Sequence, residues 1–354
     1  MSNTLHDLKI SEIKKETKDC VSITFEIPEN LKNEFSFISG QYLTLQRRID
    51  GEDVRRAYSL CSAPFEGIHK VAIKQIKDGV FSTFANNLLS KEDTLQVMSP
   101  MGSFIIDTQS DISKNYVFYA AGSGITPIIS MIKSILFSKQ ESKITLFYGN
   151  KESSTIIFKD DLEKLQSTYS DRIKIVYIFS KEKREDALNE GRINKEKNKK
   201  LISTYLNNQT IDSVYLCGPE SMIFDIKESM IENGVNKENI HFELFTTSSA
   251  KDTKNENTDN TFQSTITIEL DGESVDFEMN SSESNILDMA HDEGIDVPFA
   301  CKGGVCCTCK AKITIGEVSM DVNYALEEDE VEEGYILTCQ SHPKTKEVSI
   351  SFDE

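Results

Sequence analysis

Short apolar-polar alternation fills roughly the first hundred residues of the chain and predicts antiparallel strands. The candidate pairs are residues 5–13 with 21–27 and 41–48 with 54–61, followed by 70–76 and 94–98. Asp50-Gly51 between two of these runs is a tight hairpin signal, because both residues tolerate the positive φ that a two-residue turn needs. A single helical stretch, 81–89, interrupts the strands, and the pattern as a whole predicts a small antiparallel β-barrel over 1–110. From residue 111 the period changes. Apolar runs at 116–121, 144–148, 173–179, 214–217 and 241–245 alternate with helical stretches at 128–137, 157–169, 195–205 and 221–233. That alternation predicts an α/β domain over 111–246, a parallel sheet covered by helices.

Residues 247–262, TSSAKDTKNENTDNTF, are almost wholly polar and without period, which predicts a flexible linker. A third unit, 263–354, combines strands at 265–270, 275–279, 310–315 and 348–352 with a helix at 285–293. Asn285 and Asp288 form a capping pair at that helix start. The expected architecture is therefore multidomain: antiparallel barrel, α/β parallel sheet, and a small α+β unit.

Composition narrows the function classes. The chain has 354 residues and a formal charge of −19, and 21 acidic against 5 basic residues from Gln263 onward place −16 of that charge in the third unit. So acidic a balance argues against nucleic acid as a partner. Either the third unit docks onto a basic partner, or its acidity is a solvated face. No apolar run approaches a membrane span, and the N-terminus MSNTLHDLKISEIKK lacks the hydrophobic core of a signal peptide. The expectation is a cytoplasmic protein without a membrane role, in which thiols such as Cys20 and Cys61 stay reduced.

The candidate chemistry concentrates in three places. Cys301, Cys306 and Cys309 read C-x4-C-x2-C, with Cys339 further on, the plant-type spacing of a [2Fe-2S] cluster. Gly303 and Gly304 let such a loop curl and aim its N–H groups at sulfur. A structural zinc site is the rival reading, although zinc sets usually show paired C-x2-C elements at both ends. Eight cysteines in the chain, half of them in one loop, do not resemble a disulfide framework.

In the first unit, Arg56-Ala57-Tyr58-Ser59 lies on a strand and Gly79-Val80-Phe81-Ser82 opens a helix. An arginine for phosphate, an aromatic face for a ring system and free N–H groups at a helix start are what a flavin nucleotide needs. In the second unit, Gly122-Ser123-Gly124-Ile125-Thr126-Pro127 joins a strand to a helix, and Cys217-Gly218-Pro219 ends a later strand of the same sheet. Glycines there allow a dinucleotide pyrophosphate to approach the backbone.

These motifs occur in the order of the ferredoxin-NADP reductase superfamily, and the chain resembles its subgroup with a C-terminal plant-type ferredoxin domain of β-grasp fold. Its C-terminal part is most similar to the reductase subunits of phenylacetyl-CoA epoxidases, and less so to reductases of ring and ketosteroid hydroxylases. The resemblance implies FAD in preference to FMN, NADPH in preference to NADH, a [2Fe-2S] cluster, and an oxygenase component as electron acceptor. It implies that Arg56 contacts flavin phosphate, Tyr58 packs on the isoalloxazine, Ser59 bonds near N5, and Gly79 and Ser82 hold the pyrophosphate. Thr126 and Cys217 border the nicotinamide, with Glu243 close by and Phe245 shielding the flavin face. Ser180 and Lys181, with Arg184 nearby, stand where relatives hold the adenosine 2′-phosphate, and Cys307 stands where relatives usually have Ala or Gly. Two other readings remain open: an NADH-dependent reductase of another ring or steroid hydroxylase, and a binding protein with a structural metal and no NAD(P)H oxidation.

Overall fold

The computed structural model describes residues 4–106, 112–138, 141–206, 209–245, 261–282 and 284–353, so the linker expected at 247–262 lies almost entirely outside the described residues. The chain divides into two compact units, Met1–Phe245 and Thr246–Glu354.

The first unit begins with six strands: β1 (His6–Thr17), β2 (Cys20–Glu26), β3 (Tyr42–Ile49), β4 (Glu52–Ser59), β5 (His69–Lys74) and β6 (Thr94–Val97). They hydrogen-bond in the order β4-β3-β6-β1-β2-β5, every pair antiparallel. The two ends of this sheet meet, because Leu60 bridges Val71 and the Cys61 N–H donates to the Lys70 carbonyl at 2.8 Å. Closure leaves no open edge, and the inward residues of each strand meet in one core. Leu8, Ile10, Ile23, Leu43, Leu45 and Ile73 are all fully buried there. The Asp50-Gly51 turn between β3 and β4 has φ of 52° and 91°, as the hairpin signal required. Helix α1 (Val80–Asn87) packs Phe81 and Ala85 into the barrel end.

The parallel sheet contains β7 (Asn115–Ala121), β8 (Lys143–Asn150), β9 (Ile173–Phe179), β10 (Ser213–Cys217) and β11 (Ile240–Glu243), joined by helices α2 (Ile125–Ser138), α3 (Lys159–Thr168), α4 (Lys195–Leu201) and α5 (Glu220–Glu232). Its order is β11-β10-β7-β8-β9. The chain winds outward from β7 through β8 to β9, then returns to build β10 and β11 on the other side. The winding therefore reverses between β7 and β10, and ligands of such sheets bind at the carboxyl ends of the strands beside that switch.

Several boundaries differ from the sequence pattern. Helix α2 starts at Ile125 and not at 128, because Pro127 falls in the first turn, where its missing N–H breaks no helical bond. Helix α3 starts at Lys159 because Ile157 is buried in the core and Phe158 turns the chain with φ of 60°. The last strand of the sheet stops at Glu243, two residues short of the expected end.

The second unit has a five-stranded mixed sheet in the order β13-β12-β18-β14-β16. Its members are β12 (Gln263–Leu270), β13 (Glu273–Asn280), β14 (Lys310–Ile315), β16 (Tyr335–Leu337) and β18 (Glu347–Ser351), with β15 (Val318–Met320) paired to β17 (Ser341–Pro343) beside it. Strands β12 and β18 run parallel and the other pairs antiparallel. Helix α6 (Ile286–Asp292) packs Ile286, Leu287 and Ala290 into the core, and Asn285 Oδ1 caps it by accepting the Asp288 N–H at 2.9 Å. The three-residue strands and the short α7 (Glu328–Glu332) carry too few residues to show a period in sequence.

At the switch point the backbone of Gly124 lies against the end of β10, so close that a Cβ would fall inside van der Waals distance of the Cys217 carbonyl. We predict that Gly124→Ala forces the two strand ends apart and destabilises the protein by about 1–3 kcal/mol. Thermal denaturation checks this, with Gly149→Ala, whose Cβ would meet only ordinary contacts, as the comparison.

Candidate cofactor and iron-sulfur sites

The carboxyl ends of β4, β7, β10 and β11 gather the residues of the first candidate site. Ser59 ends β4 and is buried, and its Oγ donates to Glu243 Oε2 at 3.2 Å, at the end of β11. This bond joins the barrel to the parallel sheet. Burial pushes the Glu243 carboxyl up to about 8, against the smaller opposite pull of the Ser59 hydrogen bond. Cys217, fully buried at the end of β10, is held as a thiol well above its usual range by burial, and the Glu243 charge adds to this.

On β4, Arg56 is exposed and its Nη1 donates to the Arg55 carbonyl at 2.6 Å. Ala57 and Tyr58 are half-buried, and the Tyr58 ring stands 5.6 Å from that of Phe81, tilted by 38°. Gly79 is the N-cap of α1. The Ser82 Oγ donates to the Gly79 carbonyl and accepts the Ile76 N–H, both at 3.2 Å, so this hydroxyl shapes the turn. The first intrahelical bond runs from the Thr83 N–H to the Gly79 carbonyl at 2.9 Å, which leaves the N–H groups of Val80, Phe81 and Ser82 ahead of it as the anion donors of this helix start.

In the sheet, Gly122 (φ 55°) begins a 3-10 turn that runs into α2. The Tyr148 hydroxyl donates to its carbonyl at 3.0 Å. Thr126 is buried with Oγ1 donating to the Ser123 carbonyl at 3.0 Å, and Pro127 is buried beside it. Gly218 is pressed between Met222 and Ala121, and Pro219 caps α5. Phe245 follows β11 and is 36% exposed. A residue that sequence reasoning missed is Lys74 on β5, whose ammonium would lie 3.9 Å from a Cβ on Gly122. Nothing in a strand lysine advertises this, since only barrel closure brings β5 to the glycine turn.

Ser180 and Lys181 are exposed just beyond β9, and their N–H groups continue the pairing with Asn150 and Lys151 at 2.9 and 2.8 Å. Arg184 is already engaged. Its Nη1 lies 2.8 Å from Glu182 Oε1, and its guanidinium stacks over Phe179 at 4.7 Å.

The second candidate site is the cysteine loop. Cys306, Cys309 and Cys339 are buried and Cys301 is partly exposed. Cys306 Sγ lies 3.0 Å from Cys301 Sγ, and Cys301 and Cys309 each hydrogen-bond Cys339, so the four sulfurs form one continuous chain. The Cys306 and Cys339 thiols beside Cys301, with backbone N–H groups of Gly303 and Val305, hold it well below the usual thiol range. Thiolates set tetrahedrally about one metal would stand about 3.8 Å apart, from a metal-sulfur bond of about 2.3 Å. Cys306 and Cys301 Sγ, 3.0 Å apart, stand closer than that, and no group of three or more His, Cys, Asp or Glu among the described residues is arranged to hold a metal ion as it stands. Four converging thiols with backbone donors aimed at sulfur are nonetheless the donor set of a [2Fe-2S] cluster, and the residues fit that group. Lys302 turns the loop with φ of 52°, and Gly304 with φ of 69° packs against Val322 and Gln340. Cys307 Sγ donates to the Ala325 carbonyl at 3.4 Å.

Comparison with known proteins agrees with this geometry. The chain matches the oxidoreductase FAD-binding domain family over residues 7–106, the oxidoreductase NAD-binding domain family over 118–228, and the 2Fe-2S iron-sulfur cluster binding domain family over 268–344. It is 38% identical over 350 residues to one of the subunits of the 1,2-phenylacetyl-CoA epoxidase of Escherichia coli (strain K12), covering 99% of this chain and 98% of that protein. It is 29% identical to the ferredoxin reductase component of 3-ketosteroid-9-alpha-monooxygenase of Rhodococcus rhodochrous, over 98% of this chain and 96% of that one. Among solved structures, phthalate dioxygenase reductase shares the fold, with a TM-score of 0.62 and 23% identity over 98% of both chains. The chain belongs to the ferredoxin-NADP reductase superfamily of flavin and iron-sulfur pyridine-nucleotide oxidoreductases, in the branch that carries a C-terminal 2Fe-2S domain.

Proposed function

We propose that the protein is an NADPH-dependent reductase that passes electrons through FAD and a [2Fe-2S] cluster to an oxygenase component, a diiron oxygenase of the phenylacetyl-CoA epoxidase type. The observation that carries this reading is the Ser59–Glu243 hydrogen bond, which puts the end of the flavin-type strand beside the switch point of the nucleotide-type sheet. When bound, the flavin accepts a hydride and releases single electrons, and the cluster carries them one at a time.

The residues of this chain supply placement. Arg56 and the α1 start face the flavin phosphates, Tyr58 offers its ring, and Ser59 holds a proton at Oγ that Glu243 shares. Gly122, Gly124 and Gly218 admit a pyrophosphate, while Thr126, Cys217 and Phe245 border the nicotinamide. Cys301, Cys306, Cys309 and Cys339 ligate iron. Lys181 is exposed just beyond β9 and meets the 2′-phosphate. The identity to the epoxidase protein along the whole chain supports the choice of oxygenase.

One observation favours the second reading, an NADH-dependent reductase of a ring or steroid hydroxylase. Glu182 shares the loop with Lys181, and the Ser153 N–H, with Arg184, holds its carboxyl below the usual range. An ionised carboxylate there opposes a 2′-phosphate and suits a ribose hydroxyl.

Three outcomes follow from these assignments. Lys181→Ala is expected to raise the KM for NADPH by about tenfold and to leave NADH unchanged, the loss of one charge-assisted contact. Steady-state kinetics with both nucleotides decide this, and an equal loss for both counts against the 2′-phosphate role. Cys306→Ser is expected to leave flavin reduction by NADPH at its normal rate while transfer to a one-electron acceptor such as cytochrome c falls by at least about tenfold. Stopped-flow and steady-state rates separate the two steps, and undiminished transfer would refute the relay.

Glu243 gives a pH signature. Its folded value of about 8 stands above the ordinary value of 4.5, so between them the folded state holds a proton that the unfolded chain releases. The contribution is fully present below 4.5 and is lost as pH rises toward 8. Melting curves from pH 5 to 8.5 should therefore show Glu243→Gln gaining on the parent protein as pH rises, and parallel curves would contradict the raised Glu243 carboxyl.

A further inference from the structure

Gln340 follows Cys339 directly, on the short turn Thr338–Gln340, and its side chain reaches back into the cysteine loop. Its Nε2 lies 2.8 Å from the Cys339 carbonyl, 3.2 Å from the Lys302 carbonyl and 3.5 Å from Cys339 Sγ. Two of these partners are carbonyl oxygens, which only accept, and the third is a ligand sulfur that accepts as thiolate. The amide must therefore present its NH2 group here, and its orientation is fixed by the network.

The surroundings hold that amide in place. The Gln340 backbone carbonyl accepts the Asp321 N–H at 2.9 Å, and Gly304 leaves room for the side chain, since a Cβ there would stand 3.2 Å from Gln340 Cγ. Lys302, whose carbonyl receives the amide, is itself clamped. Its φ is 52°, its ammonium lies 2.7 Å from Asp288 Oδ1, and it stacks over Phe299 at 4.7 Å. Gln340 thus spans the two separate chain segments that carry the four thiols, and does so with its donors.

We propose that Gln340 is a positioning residue that raises the electron affinity of the iron-sulfur centre, by donating to the Cys339 thiolate and pinning the Lys302 carbonyl across the loop. The proposal rests on the reading of the four cysteines as [2Fe-2S] ligands. Accepting one electron adds one negative charge, which spreads onto the sulfurs, and a donor aimed at a sulfur stabilises that charged form more than the oxidised one. No proton or bond needs to move.

The test is a spectroelectrochemical titration of the full-length holoprotein, following the cluster absorbance and electron paramagnetic resonance signal in Gln340→Met and Gln340→Glu. Methionine keeps the length and neutrality without a donor, and glutamate keeps the shape but replaces the donor with an acceptor. Both variants are expected to be at least about tenfold harder to reduce than the parent, about 59 mV for a one-electron couple. Gln340→Asn, a methylene shorter, is expected to shift in the same direction, and it decides the matter where the methionine variant fails to assemble. Potentials equal to the parent in Gln340→Met or Gln340→Asn overturn the proposal. A shift in Gln340→Glu alone, assigning the effect to the new charge, also overturns it. A parent protein without a [2Fe-2S] spectrum overturns the ligand assignment as well, so the two failures are distinguishable.

Discussion

The reversal of winding between β7 and β10 is the constraint on which the first unit depends. It opens a crevice at the strand ends whose width is set by backbone and not by side chains, because Gly124 abuts the Cys217 carbonyl with no room for a Cβ. Three hydrogen bonds flank this contact. Tyr148 ties the Gly122 carbonyl, Thr126 ties the Ser123 carbonyl, and Ser59 meets Glu243. These bonds satisfy groups that would otherwise be stranded at a half-buried strand end, and each leaves the turn itself open. A backbone crevice whose turn carbonyls are already tied is pre-organised for a ligand that brings its own charges.

The same logic appears in the second unit on a smaller scale. Thiols that are to share a metal centre must be held close against their mutual repulsion as thiolates, and the loop does this with donors. The Gly303 N–H points at Cys301 Sγ at 3.3 Å, and the Gln340 amide approaches Cys339 Sγ from the opposite segment. The extra thiol, Cys307, does not compete. It packs against the core of this unit and gives its hydrogen to the Ala325 carbonyl, a packing role that agrees with its place off the C-x4-C-x2-C pattern.

Much of this was legible in the sequence because the signals were local. The Asp50-Gly51 turn, the Asn285 cap and the cysteine spacing each depend on residues within a few positions of one another. Strand identities were legible for the same reason, through alternation over five residues or more. What escaped depends on distance along the chain. Lys74 reaches Gly122 only because the barrel closes, and Gln340 reaches Lys302 across 38 positions. Short strands such as β15 and β16 owe their existence to pairing partners and not to their own propensity. Arg184 looked available to a phosphate, yet the structure stacks it on Phe179 and pairs it with Glu182, an arrangement set by the loop's return to β9 through the Phe179–Glu190 bridge.

The distribution of charge adds a last step. Of the total of −19, residues 1–262 carry only −3, while the segment from Gln263 onward carries −16. Within the second unit the acidic residues Glu327, Glu328 and Asp329 are exposed in and beside α7, whereas its lysines are partly engaged, Lys302 with Asp288 and Lys310 with Glu330. A surface with 21 acidic against 5 basic residues presents an uncompensated negative field, which falls off over about 8–10 Å at physiological salt. Such a field accelerates encounter with a basic surface without fixing a tight complex, because exposed pairs contribute little once formed. In general, a surface of this kind favours fast encounter through its charge and fast release through the weakness of each exposed pair, the two rates being set by different features of the same patch.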